Sequence, residues 1–219
     1  APTREIPSSK NSGDLIASLN KSGLFEMVSG DDVTDGHMDI CNVGEGCLVI
    51  APVLVKGAGV YVGDVHFTQG QGELAGHTLD ISAKVQLRIR LLKGLKLKGP
   101  ILLPKRDELN SRFVPLSDEE EKNAAAVYGR FNSAPLERSF PLQFVGTGNG
   151  INEAIDCAIS RAAGFLGITE GEVRNMATVT GCVEIGRFTG SVYITIMLPE
   201  NMLAKCGLLS LAREHYTKV

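Results

Sequence analysis

Ser191-Val192-Tyr193-Ile194-Thr195-Ile196-Met197-Leu198-Pro199 decides the architecture. Val192, Ile194, Ile196 and Leu198 alternate with Tyr193, Thr195 and Met197. That period of two puts successive side chains on opposite faces of a strand. Pro199 has no N–H to give to a ladder and ends the run. A second strand reads at 182–188, and upstream of residue 100 short apolar runs cut by glycine read as further strands at 48–55, 59–62 and 79–92. Within the last of these, Val85, Leu87, Ile89 and Leu91 alternate with polar neighbours. Gly94 separates 84–93 from 95–103, two segments that suit a hairpin. The expected fold is mainly β with α additions: an antiparallel, jelly-roll-like β-sandwich with a few short helices.

The helical additions announce themselves by a different period. Ile151, Ala154, Ile155, Ala158, Ile159, Ala162 and Leu166 recur at i, i+3, i+4 and i+7, predicting an amphipathic helix over 152–166 with Asn152 as cap and Gly167 as stop. Thr169 with Glu172 is a capping box that opens a shorter helix to about Met176. Ser117 with Glu120 is another, inside a proline-rich, acidic excursion at 104–141, and a short terminal helix follows Pro199. Residues 1–36 are polar and turn-rich, with one helical candidate at 14–25, and read as an arm or insertion on a domain spanning 37–219.

Composition narrows the function classes. With 219 residues the chain can bury a substantial core without cross-links, and 25 glycines with only 5% aromatics favour short strands and many turns. A net charge of -3 gives no basic field for a phosphate backbone, so nucleic acid is not an expected partner. Five cysteines without a CxxC pair indicate neither a zinc knuckle nor a disulfide framework. No apolar run spans a bilayer and no signal pattern opens the chain, so a membrane is not expected and the expected compartment is the cytoplasm.

Chemistry concentrates in Gly63-Asp64-Val65-His66-Phe67-Thr68-Gln69-Gly70-Gln71-Gly72-Glu73. In an extended chain Asp64 and His66 share a face and can ligate one cation or share one proton. Gly70 and Gly72 permit a fold-back that brings Glu73 to the same place, and backbone amides of such a loop can hold an oxyanion. Gln69 and Gln71, with those two glycines, are candidate substrate-binding positions. Two hydrolytic routes fit these residue types. A metal on Asp64 and His66 activates water with Glu73 as general base, or a carboxylate acts directly as nucleophile or base. Spacing does not choose between them. The ordinary alternative is that these are turn residues capping backbone groups. Gly146-Thr147-Gly148-Asn149-Gly150 lacks a following Lys and reads as a strand-to-helix turn, and His77 and His215 read as solvated.

The string resembles the segment GD-(L/V/M)-H-(F/A)-x-x-G-D-G-E of the acetamidase/formamidase family, with Asp64, His66, Gly70, Gly72 and Glu73 on its fixed positions. Residues 36–40 resemble the family's GGN(M/C)DI motif, residues 51–58 its PVFVEGA strand, and residues 151–154 and 167–172 its later helical segments. Together these cover about 36–203. The resemblance implies hydrolysis of short amides such as formamide or acetamide to carboxylate and ammonia, on a β-sandwich often found in oligomers. It implies a divalent metal (zinc, calcium or magnesium) on Asp39, Asp64 and His66, and no organic cofactor. Three departures stand out. Gln71 replaces an Asp; His37 replaces an Asn and adds an imidazole as a further candidate ligand; and the family's N-terminal strands, which would precede Ala1, are missing. The expected partners are a small amide and either further copies of the chain or a second chain supplying those strands. The alternatives to an amidase of this type are a non-catalytic ligand-binding sandwich and a hydrolase of another C–N bond.

Overall fold

The computed structural model describes residues 38–217, apart from 55, 61 and 189. The arm at 1–36, its helix candidate at 14–25 and His37 lie outside the described residues.

Two nine-residue strands form the spine: β5 (Ser139–Thr147) and β7 (Ser191–Pro199), paired antiparallel along their whole length from Ser139 opposite Pro199 to Thr147 opposite Ser191. They sit inside a five-stranded sheet in the order β1 (Leu48–Ile50), β4 (Ile101–Leu103), β5, β7, β6 (Gly181–Ile185). Every pairing in it is antiparallel. Two short strands, β2 (His66–Thr68) and β3 (Leu79–Asp80), pair separately. The mainly antiparallel, helix-supplemented fold expected from the alternation is the fold found, and the five-stranded sheet is consistent with a β-sandwich.

The alternation sorts the two faces. Phe140, Leu142 and Phe144 of β5 and Val192, Ile194, Ile196 and Leu198 of β7 join one buried cluster with Ala154, Ala158 and Ala162. Those alanines lie on α2 (Ile151–Leu166), which packs over the sheet beside α3 (Glu170–Thr180). Burying each large apolar side chain contributes about 1.5–3 kcal/mol, so this layer is the main source of stability. The opposite face carries Leu102, Val145 and Tyr193, covered by Ile40. It also carries a polar row in which Asn42 Nδ2 donates to Gln143 Oε1 at 3.4 Å and Gln143 Nε2 to Thr195 Oγ1 at 3.1 Å. The segment around Ile40 is thereby fastened to the face that bears the site.

The helix signals hold nearly to the residue. Ser117 and Glu120 close a capping box on α1 (Asp118–Tyr128), and Thr169 and Glu172 close another on α3. Gly167 stops α2 in the left-handed conformation, at φ 68°. The cap of α2 is Gly150 rather than Asn152, two residues earlier, and Glu153 Oε2 accepts from the Asn149 N–H at 2.9 Å just ahead of it. α3 runs on to Thr180, and after Pro199 there are two short helices, α4 (Glu200–Lys205) and α5 (Leu209–Thr217). No described helix is long and apolar enough to cross a membrane.

The hairpin expected from 84–93 and 95–103 does not form. Pairing stops at Asp80 and resumes at Ile101, and the described residues 59, 60 and 62 lie in no strand. Val85, Leu87, Ile89 and Leu91 all face solvent, the last two 69% exposed. Alternation states that one side of an extended segment is apolar; it does not supply the neighbouring strand. Only at Leu92, Leu95 and Leu97 does this stretch turn in against the main core.

Gly146 marks where α2 approaches the sheet most closely: a Cβ there would sit 2.1 Å from the Ala154 carbonyl oxygen and 2.4 Å from the Ala158 nitrogen. Gly146→Ala must lever the helix off β5 and is expected to cost about 3 kcal/mol. Gly164→Ala, on the exposed side of the same helix with nothing nearby, is expected to stabilise by about 1 kcal/mol. Urea unfolding midpoints check both, and a Gly146→Ala protein as stable as the parent contradicts this packing.

Candidate functional site

Three described residues other than glycine have positive φ, and all three are candidates from the sequence: Asp39 at 47°, Asp64 at 57° and Glu73 at 42°. Left-handed backbone costs an ordinary L-residue roughly 1–2 kcal/mol, so surrounding contacts must hold each one there. Asp64 is therefore not extended, and the strand argument for its sharing a face with His66 fails in its reason. Its conclusion survives, because the left-handed turn swings the Asp64 carboxylate round to 3.3 Å from His66 Nε2. His66 opens β2 opposite Asp80 of β3, whose carboxylate lies 3.8 Å from the same nitrogen.

Asp39 arrives from a distant part of the chain. Gln69 bridges the two: its Nε2 donates to the Asp39 carbonyl oxygen, and its Oε1 lies 2.8 Å from His66 Nδ1. Residues 38–40 rest on the turn between β6 and β7, where Ser191 Oγ donates to the Met38 carbonyl at 3.2 Å. A Cβ at Gly186 would stand 2.5 Å from that carbonyl, so the approach needs glycine. Arg187, in the same turn, places Nε 3.9 Å from Asp39 Oδ2, a carboxylate on a side chain only 6% exposed. The turn also grips the glycine-rich loop: the Phe188 N–H donates to the Gly72 carbonyl at 2.7 Å, and Gln71 Nε2 donates to Glu184 Oε1 at 3.1 Å. One β-turn thus sets Asp39 and the 70–73 loop in register.

The outcome is a cluster in which one ligand atom each from Asp39, Asp64 and His66 lie within 4.8 Å of one another. The His66 side chain is 13% exposed and Asp64 is 52% exposed, so the cluster opens outward on the Asp64 side. Desolvation pulls the His66 pKa down, but the Gln69 and Asp64 hydrogen bonds and the charges of Asp64 and Asp39 outweigh it, leaving the ring above its ordinary 6.5. Two carboxylates and an imidazole directed at a common point form a donor set that fits a divalent cation.

Glu73 follows a turn closed by its own N–H donating to the Gly70 carbonyl at 3.2 Å, and its Oε2 is buried. It lines a shallow, solvent-open depression of about 280 Å³ with Thr68, Gln69, Gly70, Gln71 and His77. Of the candidate substrate-binding positions, Gln69, Gly70 and Gln71 line that depression, while Gly72, at φ 87°, aims its carbonyl at Phe188. Sequence reading did not single out Asp80, Glu184, Arg187 or Ser191. Only the pairings of β3 with β2 and β6 with β7 bring them near. His77, read as solvated, is part of the depression. Burial pushes the Cys47 thiol up to about 12 and that of Cys182 up to about 11, and raises that of Cys41 beside Gln69, which disfavours these three as thiolate nucleophiles.

The chain matches the sequence profile of the acetamidase/formamidase family over residues 8–203. It is 35% identical over 137 residues to the formamidase of Methylophilus methylotrophus, covering 47% of this chain and 34% of that protein. It is 32% identical over 126 residues to the acetamidase of Mycolicibacterium smegmatis, covering 52% and 30%. A crystal structure described as a predicted acetamidase/formamidase from Thermoanaerobacter tengcongensis superposes with a TM-score of 0.55 at 20% identity, covering 78% of this chain and 47% of that one. This likeness shows the fold. The chain spans about a third of the length of the two curated relatives.

The left-handed backbone gives a direct test. Asp64 is half exposed, so trimming its side chain loses little packing, and Asp64→Gly is expected to exceed Asp64→Ala in stability by about 1 kcal/mol because only glycine is at ease at that φ. Equal urea midpoints for the two variants would contradict the conformation described.

Proposed function

We propose that this chain, which belongs to the acetamidase/formamidase family, hydrolyses short linear amides of the formamide and acetamide type to carboxylate and ammonia with the help of a divalent cation on Asp39, Asp64 and His66. The observation that carries the reading is the convergence of those three donors within 4.8 Å, with Gln69 bonded to both Asp39 and His66 and also lining the depression that Glu73 walls. An imidazole among the donors favours zinc over calcium or magnesium, which prefer oxygen alone.

A cation held there supplies a lowered pKa for water and a positive charge against the amide carbonyl oxygen. The residues supply the rest. Asp64 offers its carboxylate on the exposed side and Asp39 from the buried side, and His66 presents Nε2 to the same place. Glu73 takes the proton that the attacking water loses and delivers it to the departing nitrogen, which leaves as ammonia. Gln71 stands at the rim with its amide N–H engaged by Glu184, and with Gly70 it is placed to orient the substrate.

Partners are part of the same proposal. Val85, Leu87, Ile89 and Leu91 present a continuous exposed apolar edge beside Lys84, Arg88 and Arg90, which suits a strand alternating apolar with acidic residues, carried on further polypeptide. Antiparallel pairing with a copy of itself centred on Arg88 would set Arg88 against Arg88, which like-charge repulsion disfavours. The double variant Leu87→Asp/Ile89→Asp is expected to lower the mass of the native assembly, and an unchanged mass argues against this surface.

Purified protein loaded with zinc, with any partner chain present, is expected to release ammonia from formamide or acetamide. Glu73→Gln is expected to lower kcat by roughly a hundred- to ten-thousandfold, the usual scale of general acid–base catalysis. Absence of ammonia with both amides would sink the amidase reading, and tight amide binding without turnover would point to a non-catalytic binding role.

A further inference from the structure

We propose that Gln69 is a positioning residue that fixes His66 as its Nδ1–H tautomer and ties that choice to Asp39, so that a single side chain orients two of the three candidate ligands. The Asp39 carbonyl oxygen can only accept, so the end of the Gln69 amide that meets it is the NH2. The other end is then Oε1, which also can only accept, and it lies 2.8 Å from His66 Nδ1. Nδ1 must therefore carry the ring hydrogen. In the neutral ring Nε2 is left bare, and it is the nitrogen that lies 3.3 Å from the Asp64 carboxylate and 3.8 Å from that of Asp80.

A bare nitrogen facing carboxylates is a poor arrangement by itself, because lone pairs then oppose lone pairs. It becomes favourable when something positive stands between them. The strap therefore keeps the imidazole from supplying its own N–H to Asp64 in the neutral state and reserves Nε2 for an incoming cation. The same amide holds the Asp39 backbone, left-handed at φ 47°, against β2 from 30 residues away in sequence. Partners of this kind, which hold a ligating histidine by its other nitrogen, typically change metal affinity by about 10–100-fold when removed. The role differs from substrate contact. Gln69 has both polar ends of its side chain engaged inside the protein.

The inference rests on the cation reading only for its last step, and the test separates the two. Nitrogen NMR of the metal-free protein, at a pH well above the histidine range, reads the tautomer directly; the His66 signals among the four histidines are identified by their loss in His66→Asn. The parent is expected to show protonated Nδ1 and bare Nε2. Gln69→Leu is expected to move His66 toward the Nε2–H form that free histidine prefers and to weaken zinc binding about 10–100-fold, read by competition with a coloured chelator. Gln69→Glu keeps an acceptor against Nδ1–H and is expected to keep the tautomer, which holds the proposal open to test if the leucine variant does not fold. A parent with Nε2–H, or a folded Gln69→Leu protein that still holds Nδ1–H, overturns it. If the tautomers behave as stated while the parent binds no zinc, the strap stands and the cation reading falls.

Discussion

The left-handed backbone at Asp39, Asp64 and Glu73 is the constraint on which the site depends. Each of these residues would relax to an ordinary conformation if left alone, and each would then carry its carboxylate elsewhere. At Asp39 and Glu73 what prevents this is a set of short-range contacts: Gln69 on the Asp39 carbonyl, Ser191 on that of Met38, Phe188 on that of Gly72, and the Glu73 N–H on that of Gly70. All four fix backbone carbonyls rather than carboxylates. The carboxylates are thus aimed by the chain beneath them.

Those contacts need a rigid surface to push against, and the sheet supplies it. β5 and β7 are paired over nine residues and buried on the helical side by a cluster that α2 can reach only because Gly146 has no side chain. The turn between β6 and β7 inherits that rigidity and passes it to both 38–40 and 70–73. Local strain at the site is therefore supported by apolar burial on the opposite face. Well-built functional sites commonly divide the work in this way.

Much of this was legible in the sequence where the signal is local. Period two in 191–198, period 3.6 in 151–166, two capping boxes and a glycine stop all depend on neighbours a few residues apart, and the structure reproduces them. The segment 84–91 shows the limit. Its alternation is as clear as that of β7, yet whether such a run becomes a strand depends on a neighbour its own residues do not name. The site divides along the same line. Asp64, His66 and Glu73 are close in sequence and stood out by density, and Asp39 entered through resemblance. Asp80, Glu184, Arg187 and Ser191 reach the site only through sheet register. Gln69 was visible as a polar loop residue, but its two-ended grip needed the position of Asp39.

Zinc-edge X-ray absorption on the zinc-loaded protein tests most directly the proposal that Asp39, Asp64 and His66 hold a cation between them. The expected result is a shell of oxygen and nitrogen at about 2.0–2.2 Å with one imidazole, and loss of that imidazole in His66→Asn. A sulfur scatterer at about 2.3 Å, or a shell unchanged in His66→Asn, would contradict it.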